Sequence, residues 1–92
     1  MFINKAGDGR NNISGKEIAR RRKAAGLSQR ALAEQMQLAG LDLDKNAVQR
    51  IESGQRFVTD IELLSFAAYF HTSMEELAGA TDREGTVSQE HG

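Results

Sequence analysis

The sequence predicts an all-α domain, a compact bundle of five helices. Apolar residues recur at helical spacing, as at Leu32 and Met36, and no segment alternates apolar and polar residues as a half-buried strand would. Residues that favour helix starts precede most of the periodic segments, and the chain contains no proline. With 92 residues there is room for one small domain with one hydrophobic core.

The first helix is predicted to begin at Ser14 and to end near Ala25. Ser14-Gly15-Lys16-Glu17 has the form of a capping box, in which the serine and the glutamate satisfy backbone N–H groups reciprocally. Gly26 then suits a left-handed stop. The preceding residues 1–12 are polar and contain glycines, so we expect a flexible N-terminal arm before a domain at residues 13–79.

Two more helices follow, separated by a connection. Ser28 is placed to cap a second helix, which contains Leu32 and Met36 one turn apart. Residues 37–43 form the connection. Asp44 is placed to cap a third helix that ends at Ser53-Gly54.

The last two helices begin at further capping boxes, Thr59-Asp60-Ile61-Glu62 and Ser73-Met74-Glu75-Glu76. The fourth helix runs to about Phe70 and is apolar on nearly all sides. Such a helix is buried, and the sequence leaves open whether neighbouring helices or a second subunit bury it. The fifth ends near Gly79, and residues 80–92 are predicted to be a disordered polar tail.

Composition excludes several classes of function. The chain has no cysteine, and its two histidines lie far apart, so we expect no disulfide, no metal site and no cofactor. The longest apolar stretch, residues 63–70, is too short for the roughly 20 residues that span a bilayer, so we expect no membrane partner. No apolar signal segment precedes the domain, and we expect a cytoplasmic protein. Gly7-Asp8-Gly9 lacks the strand and helix of a phosphate-binding loop, and we expect no enzyme.

The charges are segregated along the chain, although the net charge is only −1. Residues 1–58 contain 11 Lys and Arg against 6 Asp and Glu, whereas residues 59–92 contain one Arg against 7 acidic residues. A basic end of this kind is what neutralisation of nucleic-acid phosphates requires. Chance segregation in a small domain is the alternative.

The third helix has side chains suited to DNA bases. Val48 and Ile51 form its apolar side, and the polar residues face elsewhere; these are Lys45, Asn46, Gln49 and Arg50. Arg and Lys pair with guanine O6 and N7, and Asn and Gln with adenine N6 and N7. An ordinary solvated helix face would have the same composition.

Several segments resemble the lambda-repressor-like helix-turn-helix family of Cro, phage repressors and Xre-type regulators. Leu27-Ser28-Gln29 and Leu32-Ala33-Glu34 resemble the family's second helix, and residues 48–56 resemble its recognition helix and exit loop. Residues 59–77 resemble the two helices that complete the domain. The resemblance covers residues 14–79, and implies a helix-turn-helix at helices two and three of a prokaryotic protein that binds double-stranded DNA.

The resemblance also implies roles for individual residues. Gln29 corresponds to a residue that contacts a phosphate and steadies the recognition helix; Lys45, Asn46 and Arg50 correspond to base contacts, and Gln49 has a more variable role. Ser53, Gln55 and Arg56 fall in the exit loop, which lies along the DNA backbone. The full predicted DNA-binding set is Ser28, Gln29, Arg30, Lys45, Asn46, Gln49, Arg50, Ser53, Gln55 and Arg56.

A structural ion pair is implied as well. Glu52 corresponds to an acid that pairs with an arginine of the first helix, which by spacing is Arg22. Arg20 and Arg21 would then face solvent or phosphate.

The chain departs from the family pattern at two places. The connection at residues 37–43 is longer than the usual turn of about three residues, and its leucines, Leu38, Leu41 and Leu43, are expected to form a small apolar cluster. His71 stands where the family often has a glycine, and we interpret it as a structural cap because histidine tolerates the left-handed conformation better than most residues.

These observations predict a transcriptional regulator, a repressor that binds a palindromic operator as a homodimer. The alternative is an antitoxin-like or adaptor protein whose helical domain binds a protein partner. The apolar excess of the fourth helix and the acidic C-terminal part favour that alternative.

Overall fold

The computed structural model describes residues 9–79. Within that range the chain forms five helices and no strand, which confirms the predicted all-α class. In chain order they are α1 (Gly15–Ala24), α2 (Gln29–Leu38), α3 (Lys45–Ser53), α4 (Asp60–Tyr69) and α5 (Met74–Leu77). The predicted tail, residues 80–92, and the first eight residues of the predicted arm lie outside the described residues.

The predicted capping box at the start of α1 is wrong. Ser14 is itself in a helical conformation (φ −97°, ψ −14°), and its side chain makes no capping hydrogen bond. The Glu17 carboxylate accepts hydrogen bonds from Arg20 and Arg21 instead. Charge-assisted bonds to two guanidinium groups within one turn outcompete a single backbone amide. The cap comes from Asn12, whose Oδ1 accepts the Gly15 N–H at 2.8 Å.

The other predicted helix starts are capped as expected. The side-chain oxygens of Ser28, Asp44, Thr59 and Ser73 accept the backbone N–H groups of Ala31, Ala47, Glu62 and Glu76, respectively. At α4 the capping box is complete, because the Glu62 carboxylate also accepts the Thr59 N–H at 3.0 Å. At α5 the predicted box is not completed, because the Glu76 carboxylate accepts the hydroxyl of Thr72 instead. Local sequence therefore determines where these four helices begin.

Each of the five helices is followed by a residue in the left-handed conformation, and the ends of α3 and α4 illustrate this. Gly54 follows α3 with φ of 85°, and His71 follows α4 with φ of 55°. Left-handed backbone is uncommon for residues with a Cβ, although histidine adopts it more readily than most. His71 thus ends α4 as the sequence predicted.

Every helix contributes to one core. The largest fully buried side chains are Ile18 from α1, Leu32 and Met36 from α2, Leu43 from the connection, Val48 and Ile51 from α3, Phe66 from α4, and Leu77 from α5. A shared core fixes the angle of α3 against its neighbours, since interiors pack densely and resist sliding. No helix within residues 9–79 is long and apolar enough to cross a membrane.

The long connection between α2 and α3 is anchored at its second half. Leu43 is buried in the core, and its backbone oxygen accepts a hydrogen bond from the Gln37 side chain at 2.8 Å. Leu41 packs partly against the core, whereas Leu38 is 81% exposed. The predicted cluster therefore includes Leu41 and Leu43 but not Leu38, because Leu38 belongs to α2 and lies two residues after the buried Met36, on the opposite side of the helix.

The fourth helix is buried on one side only. Phe66 and Ala67 face the core, whereas Ile61 and Leu64 are 67% and 58% exposed. Neighbouring helices therefore cover only part of the apolar surface that the sequence placed on α4. The remaining stripe faces outward in the single chain.

The amino end of α1 crosses the carboxyl end of α3 at very short range. A Cβ placed at Gly15 would overlap the backbone oxygen of Ile51. Glycine at this position lets the two backbones approach as closely as they do. This crossing holds the end of α3 against α1.

Candidate nucleic-acid interface

The second and third helices pack with their apolar sides together. Leu32 and Met36 of α2 are fully buried, as are Val48 and Ile51 of α3. The polar residues of α3 are left on the outside, so that Lys45, Asn46, Gln49 and Arg50 are all exposed. The structure thus separates α3 into a core side and a polar side, as the helical spacing requires.

The structure brings together Arg22 and Glu52, the pair implied by the resemblance. Arg22 Nε lies 2.6 Å from Glu52 Oε2, and Arg22 Nη2 lies 3.0 Å from Glu52 Oε1. The two side chains are 11% and 8% exposed. Arg22 also donates to the backbone oxygen of Leu27 at 2.7 Å, immediately before α2.

Gln29 joins the same cluster. Its amide donates to Glu52 Oε1 at 3.0 Å, so the Glu52 carboxylate accepts hydrogen bonds from α1 and from α2 while it belongs to α3. No buried side-chain nitrogen or oxygen within residues 9–79 lacks a hydrogen-bond partner. A buried charge is tolerated only under such complete pairing, and the cluster therefore sets the relative positions of three helices.

Three further predicted or neighbouring arginines, in α1 and in the exit loop, form ion pairs with carboxylates. Arg20 and Arg21 bind Glu17, and Arg56 binds both oxygens of Glu62 at 2.9 and 3.1 Å. The hydrogen bond from Arg56 holds the pKa of the Glu62 carboxyl below its usual value. Arg56 also donates to the backbone oxygen of Phe57, so its guanidinium is held close to the protein.

Four basic side chains have a different environment. Among residues 9–79, Lys23, Arg30, Lys45 and Arg50 are exposed and make no hydrogen bond or ion pair through their side chains. Lys23 lies at the end of α1, whereas the other three lie at the start of α2 and along α3, the two helices of the predicted motif. Uncompensated cations in one region form the electrostatic footprint that a polyanion requires.

The other predicted contacts lie at helix ends. Ser28 is exposed at the start of α2, where its Oγ accepts the Ala31 N–H, and free backbone amides favour an anion. Ser53 is exposed at the end of α3, where its hydroxyl donates to the backbone oxygen of Arg50 at 3.2 Å. Gln55 is exposed in the exit loop, and its backbone oxygen accepts from the Asn11 side chain at 3.0 Å.

The residues immediately before α1 contact the exit loop, which the sequence did not predict. Asn12 donates to the backbone oxygens of Ile51 and Arg56 at 2.9 and 2.7 Å, and the Asn11 N–H donates to that of Gly54 at 2.8 Å. Asparagine three residues before a helical N–H is a favourable cap, and that signal was available at Asn12. Its partners near residue 51 are too distant in sequence to be inferred.

The arrangement suits contact with a negatively charged, groove-bearing surface. Forked polar side chains and unpaired cations are exposed on α3, while the core and the Glu52 cluster fix the helix beneath them. No group of three His, Asp or Glu residues in the described part of the chain is placed to hold a metal ion.

Comparison with known proteins gives one match. A family model described as a helix-turn-helix domain matches residues 15–80, which include all five helices. Neither a curated protein nor a solved structure matches the chain. The match agrees with the lambda-repressor-like resemblance.

Proposed function

The chain belongs to the helix-turn-helix domain family, and on that premise we propose that it is a sequence-specific DNA-binding transcriptional regulator. The observation that supports this most is the set of unpaired, exposed cations at Arg30, Lys45 and Arg50. Carboxylates pair with Arg20 and Arg21 of α1 and with Arg56 before α4, and among residues 9–79 the exposed cations left unpaired lie on α2 and α3, apart from Lys23.

In this proposal α3 enters the major groove. Lys45, Asn46 and Arg50 contact base edges, with Gln49 beside them, because their donors match the groove patterns of guanine and adenine. Ser28, Arg30, Ser53 and Gln55 lie at helix ends and contact the phosphate backbone. Gln29 acts on the recognition helix through its hydrogen bond to Glu52. Arg56 approaches the DNA backbone with its charge already paired to Glu62.

We further propose that two copies bind a palindromic operator and repress transcription by occupying it. One recognition helix contacts few base pairs, and a two-fold dimer doubles the site and sets its spacing. The outward stripe of α4, formed by Ile61, Leu64 and Ala68, favours a second copy as its partner. It contains no charge, so its apposition to an identical stripe creates no like-charge repulsion.

The proposal is tested by selecting bound duplexes from a random library with the full-length chain and then measuring their affinity by gel shift. We expect one enriched motif with two inverted half-sites about one helical turn apart, 10–10.5 base pairs centre to centre. Leu64→Asp should shift sedimentation toward the monomer and remove the requirement for the second half-site. A chain that enriches no sequence contradicts the proposal.

An adaptor or antitoxin role is the second candidate, because the exposed apolar stripe of α4 also fits a protein partner. The two functions differ in what the isolated chain does. A regulator shifts discrete DNA fragments alone, whereas an adaptor shifts them only when its partner is present.

A further inference from the structure

The backbone oxygens at the carboxyl end of α3 and in the exit loop accept hydrogen bonds from a segment about 40 residues earlier in the chain. Arg10 Nη2 lies 2.6 Å from the Glu52 oxygen, and the Asn11 N–H lies 2.8 Å from the Gly54 oxygen. The last oxygens of a helix have no partner within that helix. Here residues 10–12 supply the donors, and we call this segment the N-terminal clamp.

Asn12 connects two helices through one buried side chain. Its Oδ1 accepts the Gly15 N–H at the start of α1, and its Nδ2 donates to the backbone oxygens of Ile51 and Arg56 at 2.9 and 2.7 Å. The residue is 8% exposed. The two oxygens lie on either side of the turn that leaves α3, so a single amide holds both sides of that turn.

Arg10 covers the same turn from outside. A Cβ placed at Gly54 would come within 2.8 Å of three Arg10 side-chain atoms, so the guanidinium lies directly over the left-handed glycine. Its positive charge is next to the carboxyl end of α3, where the helix dipole is negative. Charge and hydrogen bonding therefore act on the end of α3 together.

The orientation of α3 depends on how its carboxyl end is held. The helix contains nine residues and is about 13 Å long at 1.5 Å per residue. A rotation of about 5° at its carboxyl end would move its amino end by roughly 1 Å. Lys45 and Asn46 lie at that amino end, and contacts to base edges require placement at this precision.

We propose that the N-terminal clamp orients the recognition helix for DNA, and that Asn12 is a positioning residue that contacts no DNA itself. The inference rests on the proposed DNA-binding function. Without the clamp, α3 remains folded through its core residues but spends less time in the orientation that fits the major groove. Apparent affinity falls in proportion to the fraction of molecules in that orientation.

The test compares Asn12→Ser with Ser73→Ala. Serine at position 12 keeps an acceptor for the Gly15 N–H and adds no charge, but it lacks the amide that reaches Ile51 and Arg56. Ser73→Ala removes the cap of α5, which is far from the proposed interface in sequence. It is the control for a general loss of stability caused by the removal of a helix cap. Both are measured on the full chain, against the duplex selected above, at a temperature where thermal melting shows both variants to be folded.

We expect Asn12→Ser to bind this duplex about three- to tenfold more weakly, with an unchanged salt dependence. Ser73→Ala should bind like the wild type. Equal affinity of Asn12→Ser and the wild type, equal losses in the two variants, or a flatter salt dependence of Asn12→Ser would each overturn the proposal. The last result would make Asn12 part of a phosphate contact. If Asn12→Ser does not fold, Arg10→Ala releases the same end of α3 and is judged by the same criteria.

Amide hydrogen exchange separates the clamp from the DNA-binding function. Release of the clamp should speed exchange of the Asn11 N–H and of the last turn of α3 in Asn12→Ser but not in Ser73→Ala. If the wild type selects no duplex, the proposed function fails while this measurement still decides whether the clamp orders α3. Unchanged exchange in Asn12→Ser would then overturn the clamp as well.

Discussion

Glu52 is the residue on which the alignment of the first three helices depends. Its carboxylate accepts two hydrogen bonds from Arg22 and one from Gln29, and it is almost completely removed from solvent. A buried ion pair contributes little net stability compared with apolar packing, but it becomes costly when one partner is removed. Its role here is to permit one arrangement of α1, α2 and α3.

A double-mutant cycle on Arg22 and Glu52 tests that role. Arg22→Ala leaves the Glu52 charge buried and should lower the free energy of unfolding by on the order of 3–5 kcal/mol. Glu52→Gln should cost much less stability in the Arg22→Ala background than in the wild type, because the Arg22 charge that Glu52 compensates is already gone. Urea denaturation of the four proteins gives the coupling energy. Strict additivity would contradict the pairing.

Arg50 is exposed, unpaired and one turn into α3, so we expect it to bind a base, most readily guanine. Arg50→Ala should weaken binding to the selected duplex by roughly 1–3 kcal/mol and relax the preference at one position in each half-site. Lys23→Ala is the control, because it removes an exposed cation at the end of α1 outside the proposed interface. A uniform loss on all sequences would instead assign Arg50 to a phosphate.

At the scale of the elements, the crossing of α1 and α3 depends on Gly15. In an isolated helix alanine is more stable than glycine by roughly 0.5–1 kcal/mol. Here the added Cβ overlaps the Ile51 oxygen, so Gly15→Ala should destabilise the protein by about 1–3 kcal/mol instead.

Gly40→Ala is the matched control for that change. Gly40 has φ of 96° and no atom within 4 Å of an added Cβ, so its substitution strains only the local backbone. Chemical denaturation measures the loss of stability in both variants. Amide exchange at the end of α3 should be faster in the Gly15 variant but not in the Gly40 variant. Increased stability of Gly15→Ala would mean that the two helices can separate without cost.

The link between the exit loop and α4 is predicted to weaken in acid. Hydrogen bonds from Arg56 hold the pKa of the Glu62 carboxyl below its usual value, so folding stability from this carboxylate is present above the usual pKa and is lost as the pH falls through the lowered pKa. Unfolding followed by circular dichroism across this acid range should show a decline. Glu62→Gln should flatten it, and Glu34→Gln, an exposed change on α2, should leave it intact. Identical pH profiles for the wild type and Glu62→Gln would contradict the assignment.

At the scale of the whole molecule, ion pairs with carboxylates decide which positive charges of the chain remain uncompensated. Glu17, Glu52 and Glu62 pair with arginines of this region, and among residues 9–79 the exposed cations left unpaired lie on α2 and α3, apart from Lys23 at the end of α1. An overall charge of −1 is therefore compatible with a polyanionic partner.

The salt dependence of DNA binding reports how many phosphates these cations neutralise. The logarithm of the affinity should fall with the logarithm of salt concentration by about 0.9 for each phosphate neutralised. Arg30→Gln should reduce that slope by about one unit per half-site, because Arg30 is proposed to contact phosphate. Arg56→Gln should reduce it less, because Glu62 already compensates the Arg56 charge. Binding that is insensitive to salt would favour the adaptor role.

Much of the fold was predictable because the relevant interactions are local. Ser28, Asp44 and Thr59 cap helices through backbone groups three residues away, and the core and polar sides of α3 follow from spacing along one helix. The error at Ser14 arose from a competing interaction of the same range, since Glu17 has two arginines within one turn of α1.

The sequence by itself determined the five helices, most of their boundaries, and the polar composition of the side that α3 turns away from the core. Those features follow from hydrogen bonds and periodicities within about four residues. Only the tertiary structure decided that Asn12 holds the exit loop, that Arg56 is paired with Glu62, and that α4 leaves Ile61 and Leu64 outside. Asn12 reaches a partner 44 residues away, and the exposure of α4 depends on how the other helices fill the core, so neither is encoded in a local pattern.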